Sequence, residues 1–231
     1  MSTLLITGTN RGLGLEFVRQ YLAEDWRVHA CCRNPLFAEE LQQLAKDYSD
    51  HLVLHQLDMN DLSAIESLAD ELSDQAVDLL LSNAGVYGGH DQALENMRYS
   101  DWHETMLVNA LAPLKLADFF TEHVAASPLK KMVFMSSKMG SMHDNGSGGV
   151  YNYRASKAAL NAIVKNLSND LKPAGISVVC LHPGWVRTDM GGPHGLIDPP
   201  ESIAAMRQVI SDLGLATSGR FMDYQGHEIP W

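Results

Sequence analysis

The sequence predicts an α/β protein: a parallel sheet covered by helices on both faces. Three observations carry that prediction. Short apolar runs alternate with helical patterns along the whole chain, as expected when strands are joined by crossover helices. A glycine-rich turn follows the first apolar run directly. Two more glycine-rich stretches, Gly140 to Gly149 and Gly191 to Gly195, follow later strands. That is the carboxyl edge, where open α/β sheets place ligands.

The elements follow in order. Thr3 to Thr7 is a buried strand, and a helix runs from near Gly12 to Glu24. Arg27 to Cys32 is the second strand and Pro35 to Tyr48 the second helix. His51 to Leu57 is the third strand, and a helix from about Leu62 to Leu72 is capped by Asp61, Ser63 and Glu66. Val77 to Ser82 is the fourth strand. A long helix covers Asp101 to Ala126, with a kink expected at Pro113. Lys131 to Ser136 is the fifth strand. The helix carrying Lys157 runs to about Lys172, where Pro173-Ala174-Gly175 stops it. Ile176 to Leu181 is the sixth strand. A helix near Glu201 to Leu213 and a short strand at Gly219 to Met222 complete a sheet of about seven strands.

A chain of 231 residues suffices for one well-packed domain and is short for two. No linker, repeat or low-complexity tract interrupts it, so residues 1–231 are expected to form a single domain. A formal net charge of −11 argues against nucleic acid as a partner and gives no attraction to anionic membranes. The three cysteines, Cys31, Cys32 and Cys180, show no disulfide spacing and fit buried free thiols. No secretory leader is evident, and no apolar run approaches the roughly 20 residues that span a bilayer. A cytoplasmic protein is the expectation.

The first strand runs into Thr7-Gly8-Thr9-Asn10-Arg11-Gly12-Leu13-Gly14 before a helix. Glycines allow the tight turn and let the backbone approach a pyrophosphate, and the helix N-terminus favours its negative charge. The end of the second strand distinguishes the two nicotinamide dinucleotides. An acid there holds a ribose 2′-hydroxyl, whereas basic residues hold a 2′-phosphate. Here Cys32 is followed by Arg33, with no acid, and Arg11 lies in the glycine loop. That combination favours NADP(H), with Arg33 and Arg11 expected to clamp the 2′-phosphate.

Tyr153 and Lys157 stand four residues apart at the start of a long amphipathic helix, so they share one face. A phenol titrates near pH ~10, and a fixed positive charge beside it favours the phenolate. The pair is therefore a candidate proton-transfer device.

Taken together, these motifs resemble the short-chain dehydrogenase/reductase superfamily over nearly the whole chain. The resemblance rests on the loop Thr7 to Gly14, Asp58 after the third strand, and Asn83-Ala84-Gly85 after the fourth. It continues with Asn109, Ser137, Tyr153 with Lys157, and Pro183-Gly184 with Thr188. Tyr153 to Lys157, Cys180 to Val186, and Gly219 to Gly226 look most like the C-factor and sniffer-type carbonyl reductase branch.

The resemblance implies a Rossmann-type three-layer αβα sandwich and hydride transfer between NADPH and a ketone or aldehyde. It also implies a relay in which Tyr153 exchanges a proton with the substrate oxygen. Lys157 lowers the tyrosine pKa and bonds the nicotinamide ribose, Ser137 holds the carbonyl oxygen, and Asn109 binds a water linking Lys157 to solvent. Gly8, Asn10, Gly12, Leu13 and Gly14 cradle the phosphates. Asp58, with Met59 beside it, contacts adenine, and Asn83, Ala84 and Gly85 line the cofactor. Pro183, Gly184, Val186 and Thr188 hold the nicotinamide end.

Ser137 is preferred to Ser136 because Ser137-Lys138-Met139-Gly140 fits the family's Ser-x-x-Gly step. The chain departs from the family at Ser82, where an asparagine is usual. It also has a longer connection over 138–152, whose His143, Asp144 and Asn145 either touch substrate or are solvated. Trp185 either borders the pocket or packs in the core. The segment from Met190 to Pro200 is expected to be a compact turn.

Ala155, Ala158, Ala159, Ala162 and Ile163 form a small-residue stripe. It serves packing within the monomer or, as the resemblance implies, a homodimer or homotetramer. The ten histidines, His90 among them, lack metal-ligand spacing, so no metal is expected. A second functional reading is an NADPH-binding redox sensor or signalling protein with little turnover.

Overall fold

A computed structural model describes residues 1–89 and 91–231, so His90 lies outside the described residues. Seven strands form one sheet: β1 (Thr3–Thr7), β2 (Arg27–Cys32), β3 (Leu52–Gln56), β4 (Leu79–Ser82), β5 (Lys131–Met135), β6 (Ser177–His182) and β7 (Arg220–Asp223). Their order is β3-β2-β1-β4-β5-β6-β7, and every pairing is parallel. The order reverses between β1 and β4, which opens a crevice at their carboxyl ends.

Strand residues alternate between two cores. Leu5 of β1 packs among Ile65, Phe120 and Val164, whereas Leu4 and Ile6 pack among Phe17, Leu41 and Met206. Thus α3 (Leu62–Glu71), α5 (Ala112–Ala125) and α6 (Tyr151–Asp170) cover one face. The other is covered by α1 (Gly12–Leu22), α2 (Glu39–Asp47) and α7 (Pro199–Ser211). Each fully buried leucine or phenylalanine contributes about 1.5–3 kcal/mol, so both faces are needed to hold the sheet. The architecture is the predicted Rossmann-type three-layer sandwich.

Three details differ from expectation. The second helix starts late, because Pro35–Phe37 forms a separate 3-10 turn ending at Ala38. Asp61 caps α3 by accepting from Ser63 N at 3.0 Å and Ala64 N at 3.3 Å, but Glu66 instead pairs with Lys115 on α5. The long helix breaks before Pro113 rather than kinking there. It divides into α4 (Tyr99–Met106), a π turn at Leu107–Leu111, and α5, where Pro113 sits in the first turn. Pro113 has no N–H to offer the Asn109 carbonyl four residues earlier, so regular α bonding cannot pass that point.

Candidate functional site

The crevice between the β1 and β4 carboxyl ends gathers most of the predicted residues. Gly8, Asn10, Arg11, Gly12, Leu13, Gly14, Arg33, Asp58, Met59, Asn83, Ala84, Gly85, Tyr153, Lys157, Pro183 and Thr188 all line one cleft. Thr7, Cys32, Leu57, Asn60, Val86, Val108, Met135, Ser136, Asp189 and Met190 join them. Thr7 opens the glycine-loop motif; the others in this second group carry no motif of their own and enter through their places in the fold.

The glycine turn is shaped by close approach. Gly8 has φ 72°, and a Cβ there would stand 2.8 Å from Ala84 Cα. A Cβ on Gly14 would meet the Gly8 carbonyl oxygen at 2.1 Å, which no side chain can occupy. Asn83 fastens the neighbouring strand end to this turn, donating Nδ2 to the carbonyls of Thr7 at 2.9 Å and Gly8 at 3.1 Å. Thr7 Oγ1 accepts from Asn83 N and Ala84 N, both at 3.1 Å. At the head of α1, Arg11 is extended and no side chain caps the first turn. The uncapped N–H groups of a helix start are anion donors. The turn therefore fits a pyrophosphate.

Arg33 and Arg11 diverge. Arg33, exposed, also lines a second depression beside Asn10, Asn34, Gln56 and Asp58. Arg11 instead sends its guanidinium to Asp189, Nη1 to Oδ2 at 2.7 Å. The ion pair holds Arg11 beside Asp189, so a share in clamping a 2′-phosphate requires that it leave this carboxylate. Asp58 Oδ1 accepts from Asn60 N at 2.9 Å, closing the turn after β3.

At the other end lie Tyr153 and Lys157, 9% and 4% exposed, one turn apart on α6. Lys157 Nζ donates to the Met135 carbonyl at 2.8 Å and lies 5.7 Å from the Tyr153 ring centroid. Burial pushes the phenol up to about 12, against a downward pull from the Ser137 side chain, and Tyr87 adds a smaller upward push. Burial lowers Lys157 to about 8. Desolvation thus dominates the phenol, and Lys157 is not among the groups that shift it. A neutral phenol is a proton donor.

Ser137 Oγ accepts from Met139 N at 3.2 Å. Ser136 lines the cleft, yet its hydroxyl is spent donating to Asn161 Oδ1 at 2.6 Å, which fits a structural role. Gly140 lets this step pack on α6: a Cβ there would lie 2.8 Å from the Lys157 carbonyl carbon.

Asn109 is fully buried and its amide is committed. Oδ1 accepts from Val86 N at 2.9 Å, and Nδ2 donates to Val86 O at 2.8 Å and Ser156 Oγ at 3.0 Å. These bonds fix the side chain between the Val86 backbone and α6. Asn109 Oδ1 and Lys157 Nζ both face Gly85, where a Cβ would stand 3.2 Å from the one and 3.5 Å from the other.

Gly184 and Val186 do not line the cleft. Gly184 packs toward Ile197 and Tyr224, and Val186 is buried and bridges to Ile197. Both brace the segment that carries Thr188. Arg187 tightens the same turn through Asp198 at 2.6 Å and the Gly195 carbonyl at 2.6 Å. Trp185 is 51% exposed and donates Nε1 to Gly191 O at 2.7 Å, so it is no core residue. The 141–144 segment is pinned: His143 N donates to Trp231 O at 3.0 Å, and Asp144 pairs with Lys138 at 3.2 Å.

Fold and site together define a nucleotide-cleft α/β protein with a buried Tyr–Lys pair at the end of the cleft. The family model for short chain dehydrogenases matches residues 2–195. C-signal from Myxococcus xanthus is 46% identical over 155 residues, 67% of this chain and 93% of that protein. Among solved structures, carbonyl reductase Sniffer of D. melanogaster has a TM-score of 0.94 and 35% identity, covering 100% of both chains. NADPH-bound carbonyl reductase from chicken fatty liver has a TM-score of 0.93 and 33% identity, covering 100% of this chain and 99% of that one. The chain belongs to the short-chain dehydrogenase family. Among the described residues, no helix is long and apolar enough to cross a membrane, and no cluster of three or more His, Cys, Asp or Glu side chains is placed to hold a metal.

Proposed function

We propose that this protein is an NADPH-dependent carbonyl reductase acting on small ketones or aldehydes. The observation that carries the reading is one continuous cleft with the glycine turn and Arg33 toward one end and the buried Tyr153–Lys157 pair at the other. The forbidden Cβ positions at Gly8 and Gly14 and the uncapped start of α1 fit a dinucleotide pyrophosphate. Gly12, Leu13 and Asn10 flank it, Asp58 and Met59 border adenine, and Arg33 meets the 2′-phosphate. Arg11 joins Arg33 only by leaving Asp189. Asn83, Ala84 and Gly85 line the middle, with Pro183 and Thr188 at the nicotinamide end.

When bound, the cofactor supplies the hydride. Tyr153 donates its phenolic proton to the carbonyl oxygen, and its raised pKa keeps that proton in place at neutral pH. Ser137 donates a hydrogen bond to the same oxygen as negative charge develops there. Lys157 stabilises the phenolate left behind and returns a proton to it. Asn109 contributes through its backbone, the carbonyl that Pro113 leaves without a regular helical partner. Turnover of NADPH with a panel of aldehydes, ketones and quinones tests the reading; no turnover by the wild type rejects it.

The similarity to C-signal favours a second reading, an NADPH-binding signalling protein with little turnover. Tight NADPH binding without reaction on any carbonyl supports that one instead.

A further inference from the structure

Helix α6 begins without a capping side chain. Its N-cap residue is Val150, in the left-handed region at φ 51° and ψ 45°, and valine has no atom to accept a first-turn N–H. The amide of Tyr153, in that first turn, is satisfied from outside the helix. Gln92 Oε1 accepts from Tyr153 N at 3.1 Å, across 61 residues of sequence. Gln92 is 5% exposed, and its Nε2 donates to the carbonyls of Tyr87 at 2.8 Å and Gly89 at 3.0 Å. Asn152 reaches the same loop from α6, donating Nδ2 to Gly88 O at 2.9 Å, but makes no bond to the Tyr153 amide. The loop carries the Tyr87 ring to 5.0 Å from the Tyr153 ring, centroid to centroid.

We propose that Gln92 is a positioning residue for Tyr153: one buried amide closes the open first turn of α6 on the Tyr153 N–H and fixes the Tyr87 ring against the Tyr153 phenol. This rests on Tyr153 being the proton donor to the substrate carbonyl. The physical reason is economy of contact. Without the Gln92 oxygen the first turn of α6 frays, and the phenol it carries loses its fixed place. Without the Gln92 nitrogen the Tyr87 wall is free to move, which affects how substrate sits rather than where the proton starts. Asn152 shares only the second task.

The experiment compares wild type with Gln92→Ala, Asn152→Ala and Gln92→Glu. It measures kcat and KM for a carbonyl substrate, NADPH affinity, and hydrogen exchange at the Tyr153 amide. In Gln92→Ala, kcat falls about tenfold or more and KM rises. Its Tyr153 amide exchanges about fivefold faster, the scale of a lost helix cap. NADPH affinity stays at the wild-type level, since Gln92 does not line the nucleotide cleft. Asn152→Ala raises KM alone, with wild-type kcat and Tyr153 exchange. Where Gln92→Ala does not yield folded protein, Gln92→Glu decides. Its carboxylate accepts but cannot donate, so the Tyr153 amide stays protected, kcat is kept and KM rises. The proposal is overturned if Tyr153 exchange in Gln92→Ala matches wild type, or if Gln92→Ala and Asn152→Ala give the same kinetic pattern. It is equally overturned if Gln92→Glu exposes that amide. If wild type reduces no carbonyl, the reductase reading falls, while amide exchange still judges the Gln92 contact.

Discussion

Arg11 and Asp189 meet across the cleft at 2.7 Å, one from the glycine turn after β1 and the other from the segment after β6. Their side chains are 68% and 75% exposed, so the pair contributes at most about 1 kcal/mol to stability. Its importance is positional, because both residues line the cleft where phosphates are expected. Asp189→Ala removes an anion from the cleft and frees a cation. NADPH is expected to bind a few-fold tighter, on the order of 1 kcal/mol, with Tm almost unchanged. Titration at low and high salt checks this, and the gain shrinks as salt rises.

Arg33 gives a sharper contrast between cofactors. Arg33→Ala is expected to weaken NADPH binding about tenfold or more while leaving NADH affinity near its starting value, because only the 2′-phosphate distinguishes the two. Parallel fluorescence titrations with both nucleotides measure the ratio. Equal losses for the two would assign Arg33 to general electrostatics.

Tyr153→Phe keeps the ring and removes the proton. Turnover is expected to fall about 10²-fold to 10⁴-fold, the range for a positioned general acid, with NADPH affinity retained. The pH profile follows from the neighbouring lysine. The phenol keeps its proton up to about 12, so Tyr153 does not limit reduction near neutrality. Lys157 loses its charge through about 8, above which it cannot return a proton. kcat/KM for reduction should therefore decline as pH rises through about 8, and initial rates between pH 6 and 10 test that, about two units either side.

Gly14→Ala tests the cradle itself. A methyl group 2.1 Å from the Gly8 carbonyl forces the turn apart. The expected cost is about 3 kcal/mol or more, together with loss of nucleotide binding. Denaturant melts and NADPH titration report the two effects separately.

His29 and His55 form a buried pair between β2 and β3, Nδ1 to Nε2 at 2.9 Å. Burial, then the charges of His55 and Arg27, pull His29 down to about 4; burial also lowers His55, opposed by Glu71. Between the ordinary histidine value of 6.5 and about 4, the unfolded chain takes up a proton that the native state refuses. Stability is thus intact above that window and lost as pH falls through it, by on the order of 3 kcal/mol for His29 alone. Urea unfolding at pH ~7 and pH ~4.5 measures the slope, which His29→Leu should flatten.

Much of this molecule is legible in local pattern. Alternating apolar runs specify parallel strands and helices in the right order, because burial on both faces imposes that pattern. The turn from Gly8 to Gly14 announces itself because only glycine tolerates such close approach. Tyr153 and Lys157 are readable as a pair because one helical turn separates them. Even the break near Asn109 has a sequence cause, the missing N–H of Pro113, although the kink was expected at the proline itself.

Tertiary structure alone decided the rest. Arg11 turns to Asp189, Lys157 donates to Met135, and Gln92 closes the helix that carries Tyr153. Each partner is distant in sequence or on another element, and no local periodicity records such a meeting. The protonation of the central pair was decided in the same way. Spacing suggested a phenol lowered by its lysine, but folding buries both groups in a medium that disfavours either charge. Desolvation is a property of everything packed around a site, so it appears only once the chain has closed around it.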